Sequence, residues 1–278
     1  MRIAPVATLL LFAAGCAADE GLRRGLTFHA PFDGKFDAAL SADDSACRVR
    51  AGGKLAPAAS GPDLRLAEGG RFGGCLVFPK KGSTRPEFAA TKSLAYGTTS
   101  WSATVSVWLK LNPDKDLEPG YCDPVQIVGD DVKKGFIFLE WSKDHAPRHF
   151  RFAVRPLFHI WNPDAVGWEQ IPDERRPMVK MEKAPFAADR WTHVVFVLDR
   201  INDHAAPPKA RLHVDGRPVG VIRGHDLTFG WDPAAVRLVL GAAYVGALDE
   251  FAAWNRALSD EEIALLHALP GGVDSLRR

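Results

Sequence analysis

Hydrolysis of a glycosidic bond uses two carboxylates facing one cleft, so paired acidic residues are the first feature sought. A strand carrying Glu-x-Asp-x-Glu would put such a pair on one face, and the 278-residue chain contains no such run. Asp249 and Glu250 are adjacent, so on a strand their side chains point to opposite faces. Glu140 stands alone on its strand, and Glu169 falls in a loop-like segment. There is no Gly-x-Ser-x-Gly elbow for a nucleophilic serine. His145 and His149 flank Pro147 in a turn and lack the His-Glu-x-x-His glutamate of a zinc protease, so they read as hairpin histidines. Lys80-Lys81-Gly82-Ser83-Thr84 lacks the upstream glycine of a phosphate loop and reads as a surface turn. No Cys-x-x-Cys or Cys/His grouping has zinc spacing.

Binding without covalent chemistry is better supported. Phe158, Trp161, Trp168 and Trp231 lie in segments rich in Pro, Asp and Asn, where an aromatic ring can stack on the apolar face of a sugar. Three of the four belong to one unusual stretch, Pro156 to Pro185, with many prolines and an Asp-Glu-Arg-Arg run. Long loops inside compact domains are uncommon and often functional. Nucleic acid is excluded as a partner class. The 35 basic and 34 acidic residues leave a net charge of +1, with no basic stripe to track a phosphate backbone.

The elements that must position these residues are strands. Trp101 to Leu111 puts Ala103, Val105, Val107 and Leu109 on one face, with Thr104, Ser106, Trp108 and Lys110 on the other. Trp108 on the polar face predicts that this face is covered. Phe136–Trp141 and His149–Val154 read as a neighbouring pair. Trp191 to Leu198 is apolar on both faces and predicts a central strand. Asp215-Gly216 is a strong two-residue hairpin signal inside residues 210–222. Residues 244–254 predict a last strand with Val245, Ala247, Phe251 and Ala253 on one face. Ser259 and Glu262 then form a capping box, Leu258 and Ile263 a hydrophobic staple. Ile263, Leu265, Leu266 and Leu269 supply the apolar side of a short closing helix. Many short strands, frequent turns and one helix predict an all-β chain: a two-sheet antiparallel β-sandwich with one short C-terminal helix.

The last strand and helix closely resemble those of the LamG-like (laminin G, concanavalin A-like) jelly-roll family. The resemblance rests on Gly246-Ala-Leu-Asp-Glu250, Trp254-Asn-Arg-Ala-Leu-Ser259 and Glu261-Glu-Ile263. Phe32-Asp-Gly34 after the first strand and Leu212-His-Val-Asp-Gly216 are similar to the family's opening and hairpin. The resemblance covers roughly residues 26–269 and implies a jelly roll in one domain, 19–278, with 156–185 as an insertion. It implies carbohydrate recognition without catalysis. An adhesion or scaffold protein binding another envelope protein is the alternative, and a glycoside hydrolase or lyase with an unrecognised carboxylate site is the second. It also implies one structural calcium ion at Asp33 and Asp249, where the first strand's turn meets the last strand.

Residues 1–18 read as an export signal. Arg2 gives a positive start, and the apolar run to Ala14 is too short to span a bilayer. Ala13-Ala-Gly-Cys16 resembles a bacterial lipobox, with Ala13 where Leu, Val or Ile is usual. Lipidation at Cys16 and simple cleavage after Ala18 both remain open, giving an envelope lipoprotein or a secreted protein. A membrane is then met only through a lipid anchor. An oxidising compartment favours one disulfide among Cys47, Cys75 and Cys122. Cys47 with Cys75 is the nearest pair, though spacing does not fix connectivity.

Overall fold

The computed structural model describes residues 20–51 and 54–277. The signal segment and Cys16 lie outside the described residues. Among those residues, seventeen strands form two antiparallel sheets. The nine-stranded sheet runs β15 (Arg217–Arg223), β14 (Lys209–Val214), β13 (Thr192–Ile201), β8 (Trp101–Lys110), β17 (Gly246–Trp254), β1 (Leu26–Ala30) and β2 (Leu40–Ser41). From β17 it also branches to β6 (Gly74–Phe78) and β5 (Arg65–Glu68). The eight-stranded sheet runs β12 (Met178–Met181), β11 (Phe150–Arg155), β10 (Phe136–Trp141), β9 (Cys122–Val128), β16 (Arg237–Ala242), β7 (Glu87–Ala89), β3 (Arg48–Ala51) and β4 (Lys54–Pro57). The predicted sandwich is therefore present, and the pairing β10–β11 and the hairpin β14–β15 are as expected. Asp215 and Gly216 both take positive φ, 50° and 73°, as a two-residue hairpin turn demands.

The main core lies between the sheets. Val105, Val107, Val194, Phe196, Leu248 and Phe251 from one sheet meet Val125, Ile127, Leu139, Phe152, Leu238 and Leu240 from the other. A second core lies on the far side of the nine-stranded sheet. Val195, Val197, Ala252 and Trp254 there pack under Leu258, Ile263, Leu266 and Leu269 of the C-terminal helix region, with Leu22 and Leu276. β13 is thus central and buried on both faces, as its composition predicts. The capping box forms, with Glu262 N donating to Ser259 Oγ at 3.1 Å and Ser259 N to Glu262 Oε2 at 2.9 Å. It starts the helix Asp260–Ala268, and the staple residues Leu258 and Ile263 are fully buried. Each such apolar side chain contributes about 1.5–3 kcal/mol by leaving water.

Four expectations need correction. A β-bulge between Asp249 and Ala252, with Glu250 at φ 51°, breaks the period of two on β17. Leu248 therefore enters the main core with Phe251, and Ala247 does not. Leu265 is 43% exposed, because two residues from Ile263 is more than half a turn around a helix. The Cys47–Cys75 disulfide does not form: Cys47 leads into the eight-stranded sheet, Cys75 sits in β6 of the other, and Cys47, Cys75 and Cys122 are all buried free thiols. Burial pushes the Cys75 thiol up to about 11. Finally, the insertion is not a bare loop. It holds a short helix Phe158–Trp161, two 3-10 turns and the edge strand β12, which pairs with β11.

The second core predicts that Ile263→Ala costs about 2–5 kcal/mol, because the helix cannot collapse onto a sheet already fixed by its ladders. Urea denaturation measures it. A loss under about 1 kcal/mol would mean that the helix contributes little to the packing of that face.

Candidate functional site

With the far face of one sheet sealed by the C-terminal helix, the outer face of the other sheet is the place to look. The pleat sends Ile137, Leu139 and Trp141 of β10 inward and Phe136, Phe138 and Glu140 outward. On β11 the outward residues are Arg151, Ala153 and Arg155, and on β16 they are Arg237 and Val239. β9 carries a register shift opposite Leu139–Trp141, so Cys122 and Val125 both point inward and Asp123 is turned out.

A groove of about 520 Å³ crosses this face. Arg50, Arg85, Glu87, Gln126, Asp130, Phe136 and Arg237 line it. Glu87 accepts from Arg50 Nε at 3.2 Å and Nη2 at 3.0 Å, and lies 3.7 Å from Arg237 Nε. Asp130 is paired with Lys134 and accepts from the backbone N–H of Asp232. The Lys134 bond, followed by that N–H, holds the Asp130 carboxyl down at about 2. The groove thus offers one aromatic ring and several convergent polar groups, the usual make-up of a small-ligand site.

The insertion covers the β10–β11 end of the same face. Arg155 sits among four rings: its guanidinium is 3.8 Å from the Trp168 centroid, 4.9 Å from Trp161, 4.7 Å from Phe138 and 5.9 Å from Phe136. Burial pulls Arg155 down to about 10. Below it, Arg151 Nη1 donates to Glu140 Oε1 at 3.1 Å and to Glu169 Oε1 at 2.8 Å. Tyr121 Oη and Arg176 Nη1 also donate to Glu169, at 2.9 and 3.1 Å. Glu169 is therefore the clasp that ties the insertion to the sheet. Asp123 and Glu140 are both buried. Burial pushes Asp123 up to about 6, against the hydrogen bond from Gln126. Glu140 rises to about 8, from burial first and the neighbouring Asp123 charge second.

Three of the four aromatic candidates are brought together at this end. Phe158 packs on Trp161 at 5.5 Å, Trp161 on Trp168 at 5.4 Å, and Trp168 on Phe138 at 6.4 Å. Phe138 stacks on Phe136, which lines the groove. Trp231 is a correction. It is 2% exposed, donates from Nε1 to Gly135 O at 2.8 Å, and packs on Tyr96 and Phe229 in the main core, so no ring face is left for a ligand. Phe136, the groove arginines and the Asp123–Glu140 pair escape single-strand reasoning. The two carboxylates come from different strands, and a bulge decides the face of one of them.

Asp33 and Asp249 do flank one glycine turn, residues 69–74. Asp33 Oδ1 accepts from Gly74 N at 2.6 Å, and Asp249 Oδ2 from Phe72 N at 3.0 Å. Asp249 is buried, and burial pushes its carboxyl up to about 7. Asp249 Oδ2 and the Gly74 carbonyl both crowd the point that a Gly70 Cβ would occupy, while Asp33 Oδ1 crowds that of a Gly73 Cβ, so the three oxygens face neighbouring parts of one turn. Among the described residues no three His, Cys, Asp or Glu side chains group to hold a metal ion, so further oxygens would have to be backbone carbonyls.

A larger cavity of about 820 Å³ lies beside the C-terminal helix, lined in part by Trp108, Arg71 and His267. Of its two tryptophans, Trp108 is already occupied, with Arg71 4.7 Å and His193 4.6 Å from a ring that is 5% exposed, and the half-buried Trp191 has Lys110 Nζ 5.8 Å from its ring. The open groove on the eight-stranded sheet is the better candidate for a ligand.

The profile of the concanavalin A-like lectin/glucanases superfamily matches residues 87–264. Among solved structures, domain 4 of AbnA, a GH43 extracellular arabinanase from Geobacillus stearothermophilus in complex with arabinotriose, is similar. The identity is 16% and the TM-score 0.50, with 86% of this chain and 96% of that chain covered. The receptor binding domain of botulinum neurotoxin D is similar at 11% identity and a TM-score of 0.47, covering 80% of this chain and 52% of that one. This chain thus spans about half the length of the toxin domain. No curated protein matches the chain. At these identities the likeness is one of fold.

The raised Glu140 carboxyl sets a pH dependence. Below its ordinary value of 4.5 the group is protonated in both folded and unfolded chains, and burial carries no charge penalty. As pH rises from 4.5 to about 8, the unfolded chain releases a proton that the folded chain retains, so stability falls. Glu140→Gln should flatten that fall. Denaturation midpoints of the two proteins should diverge in favour of the variant across this window. Parallel midpoints would show that Glu140 stays ionised through its bond to Arg151.

Proposed function

The chain belongs to the concanavalin A-like lectin/glucanase superfamily, and on that premise we propose that it is an exported, non-catalytic domain that recognises carbohydrate. The carrying observation is the groove on the outer face of the eight-stranded sheet, where Phe136 stands beside Arg85, Gln126 and Glu87. An aromatic ring for the apolar face of a sugar and several donors and acceptors for its hydroxyls are what saccharide binding needs. That a domain of this fold was solved with arabinotriose is in keeping with the ligand class. The chain's place is a bacterial envelope, through lipid on Cys16 or by secretion, and the basis for this is residues 1–18 alone. Among the described residues no helix is long and apolar enough to cross a membrane.

A hydrolase is the second reading, and the buried Asp123–Glu140 pair is the observation that favours it, because carboxyls held at different protonation levels can divide acid and base roles. Neither carboxyl lines the open groove: Glu140 is covered by Arg151 and Glu169, and Asp123 lies buried behind Gln126, which donates to it at 2.6 Å. Binding therefore ranks above hydrolysis.

A glycan array should give specific binding, and Phe136→Ala should weaken it about tenfold, the size of one lost stacking contact. An array without a hit, with calcium and with chelator, would overturn the reading in favour of a scaffold that contacts another envelope protein.

The proposed calcium ion would sit between Asp33, Asp249 and the Gly74 carbonyl, where its charge would offset the desolvation of Asp249. Calcium should raise the melting temperature of the chain and leave that of Asp249→Asn unchanged. An equal shift in both proteins would remove Asp249 from the site.

A further inference from the structure

We propose that the groove takes an anionic saccharide, with Arg85 as the residue that binds its acidic group. This rests on the carbohydrate reading of the same groove. Three guanidiniums line it, Arg50, Arg85 and Arg237, against two carboxylates. Those carboxylates are already engaged. Glu87 is shared between Arg50 and Arg237, and Asp130 is held by Lys134. Arg85 is exposed, and the charge it acts on is that of the buried Asp123, whose carboxyl, pushed up by burial, it pulls down without a direct hydrogen bond. The groove therefore carries surplus positive charge in a concave wall, where field lines concentrate.

The surplus is local. The whole chain is balanced at +1, so the excess here comes from placement and not from composition. β3, β16 and the residues leading into β7 bring the three arginines to one face although they are far apart in sequence. A smaller basin of about 200 Å³ adjoins the groove, shares Arg50, Glu87 and Arg237 with it, and adds the ion pair Arg48–Asp44. The concave surface is thus elongated across neighbouring strands, with its unmatched positive charge at the Arg85 end, which suits an oligosaccharide better than a single sugar. A guanidinium's planar fork matches a carboxylate or a sulfate with two parallel N–H···O bonds. Phe136, which lines the groove with Arg85, offers the ring face for the sugar that bears the group.

Calorimetric titration of the full chain tests this with three probes: a uronate trisaccharide, its methyl ester, and a sulfated trisaccharide. At least one anionic probe should bind, its affinity should fall as salt rises, and the methyl ester should bind at least about tenfold more weakly. Whichever anionic probe binds identifies the acidic group. Arg85→Ala, an exposed substitution whose melting temperature checks the fold, should weaken binding about tenfold or more. Arg217→Ala, at the other cavity, should not change it. Equal and measurable affinity for uronate and methyl ester, with no tighter binding of the sulfated probe, would overturn the anionic inference and leave the carbohydrate reading standing. Anionic binding insensitive to Arg85→Ala would overturn the assignment of Arg85. No binding of any of the three, together with an empty glycan array, would overturn the carbohydrate reading itself.

Discussion

Burial of apolar side chains on both faces of the nine-stranded sheet is the constraint on which the rest depends. β13 carries Val194, Phe196 and Leu198 into the main core and Val195 and Val197 into the second. β17 does the same with Phe251 and Trp254. A sheet wetted on either side could not hold so many Val, Leu and aromatic residues. The C-terminal helix must therefore close the outside, and the capping box and staple fix where it starts. Trp254 Nε1 donating to Leu22 O at 2.7 Å ties the start of the described chain to the same cover. The consequence is functional: one outer face is spent on stability, and the other is left to carry chemistry.

That second face has a graded surface. At one end the insertion lies down on it, held by Glu169 through Arg151, Arg176 and Tyr121. Such a buried network is weak evidence for stability, since desolvation of its charges offsets much of their attraction. Its visible effect is positional. It fixes Trp161 and Trp168 around Arg155 and leaves Phe136 at the border of the open groove. Beyond that border Arg50 and Arg237 share Glu87, and the exposed Arg85 offers its charge to solvent.

Much of the fold is legible in the sequence. Period-two alternation in 101–111, the doubly apolar strand at 192–198, Asp215-Gly216 and the Ser259–Glu262 box each follow from local rules, because their causes lie within a few residues. Two of the misses share one physical origin. The faces of Ala247 and Asp123 depend on bulges, and a bulge inserts a residue into the period without a signature in composition. Leu265 is apolar but falls outside the buried stripe, because helical geometry turns it more than half a turn away from Ile263.

The site divides in the same way. Residue type and loop-like surroundings alone pointed to Phe158, Trp161 and Trp168, and these do lie together on the open sheet. The same reasoning chose Trp231, which the main core claims, because only packing decides whether a ring in a proline-rich segment faces solvent. Asp33 and Asp249 were paired by a family pattern, and the glycine turn between them does bring them to one place. Arg50, Arg85 and Arg237 have nothing in common in the sequence. They meet because β3, β7 and β16 are neighbours in a sheet whose strand order is not the order of the chain. Local periodicity and burial account for the long strands β8, β13 and β17, the 215–216 turn and the face closed by the C-terminal helix, whereas β7, β9 and β12 take their places from their neighbours in the sheet. The tertiary structure alone decided which charges share a groove, since that depends on long-range pairing that no local pattern encodes.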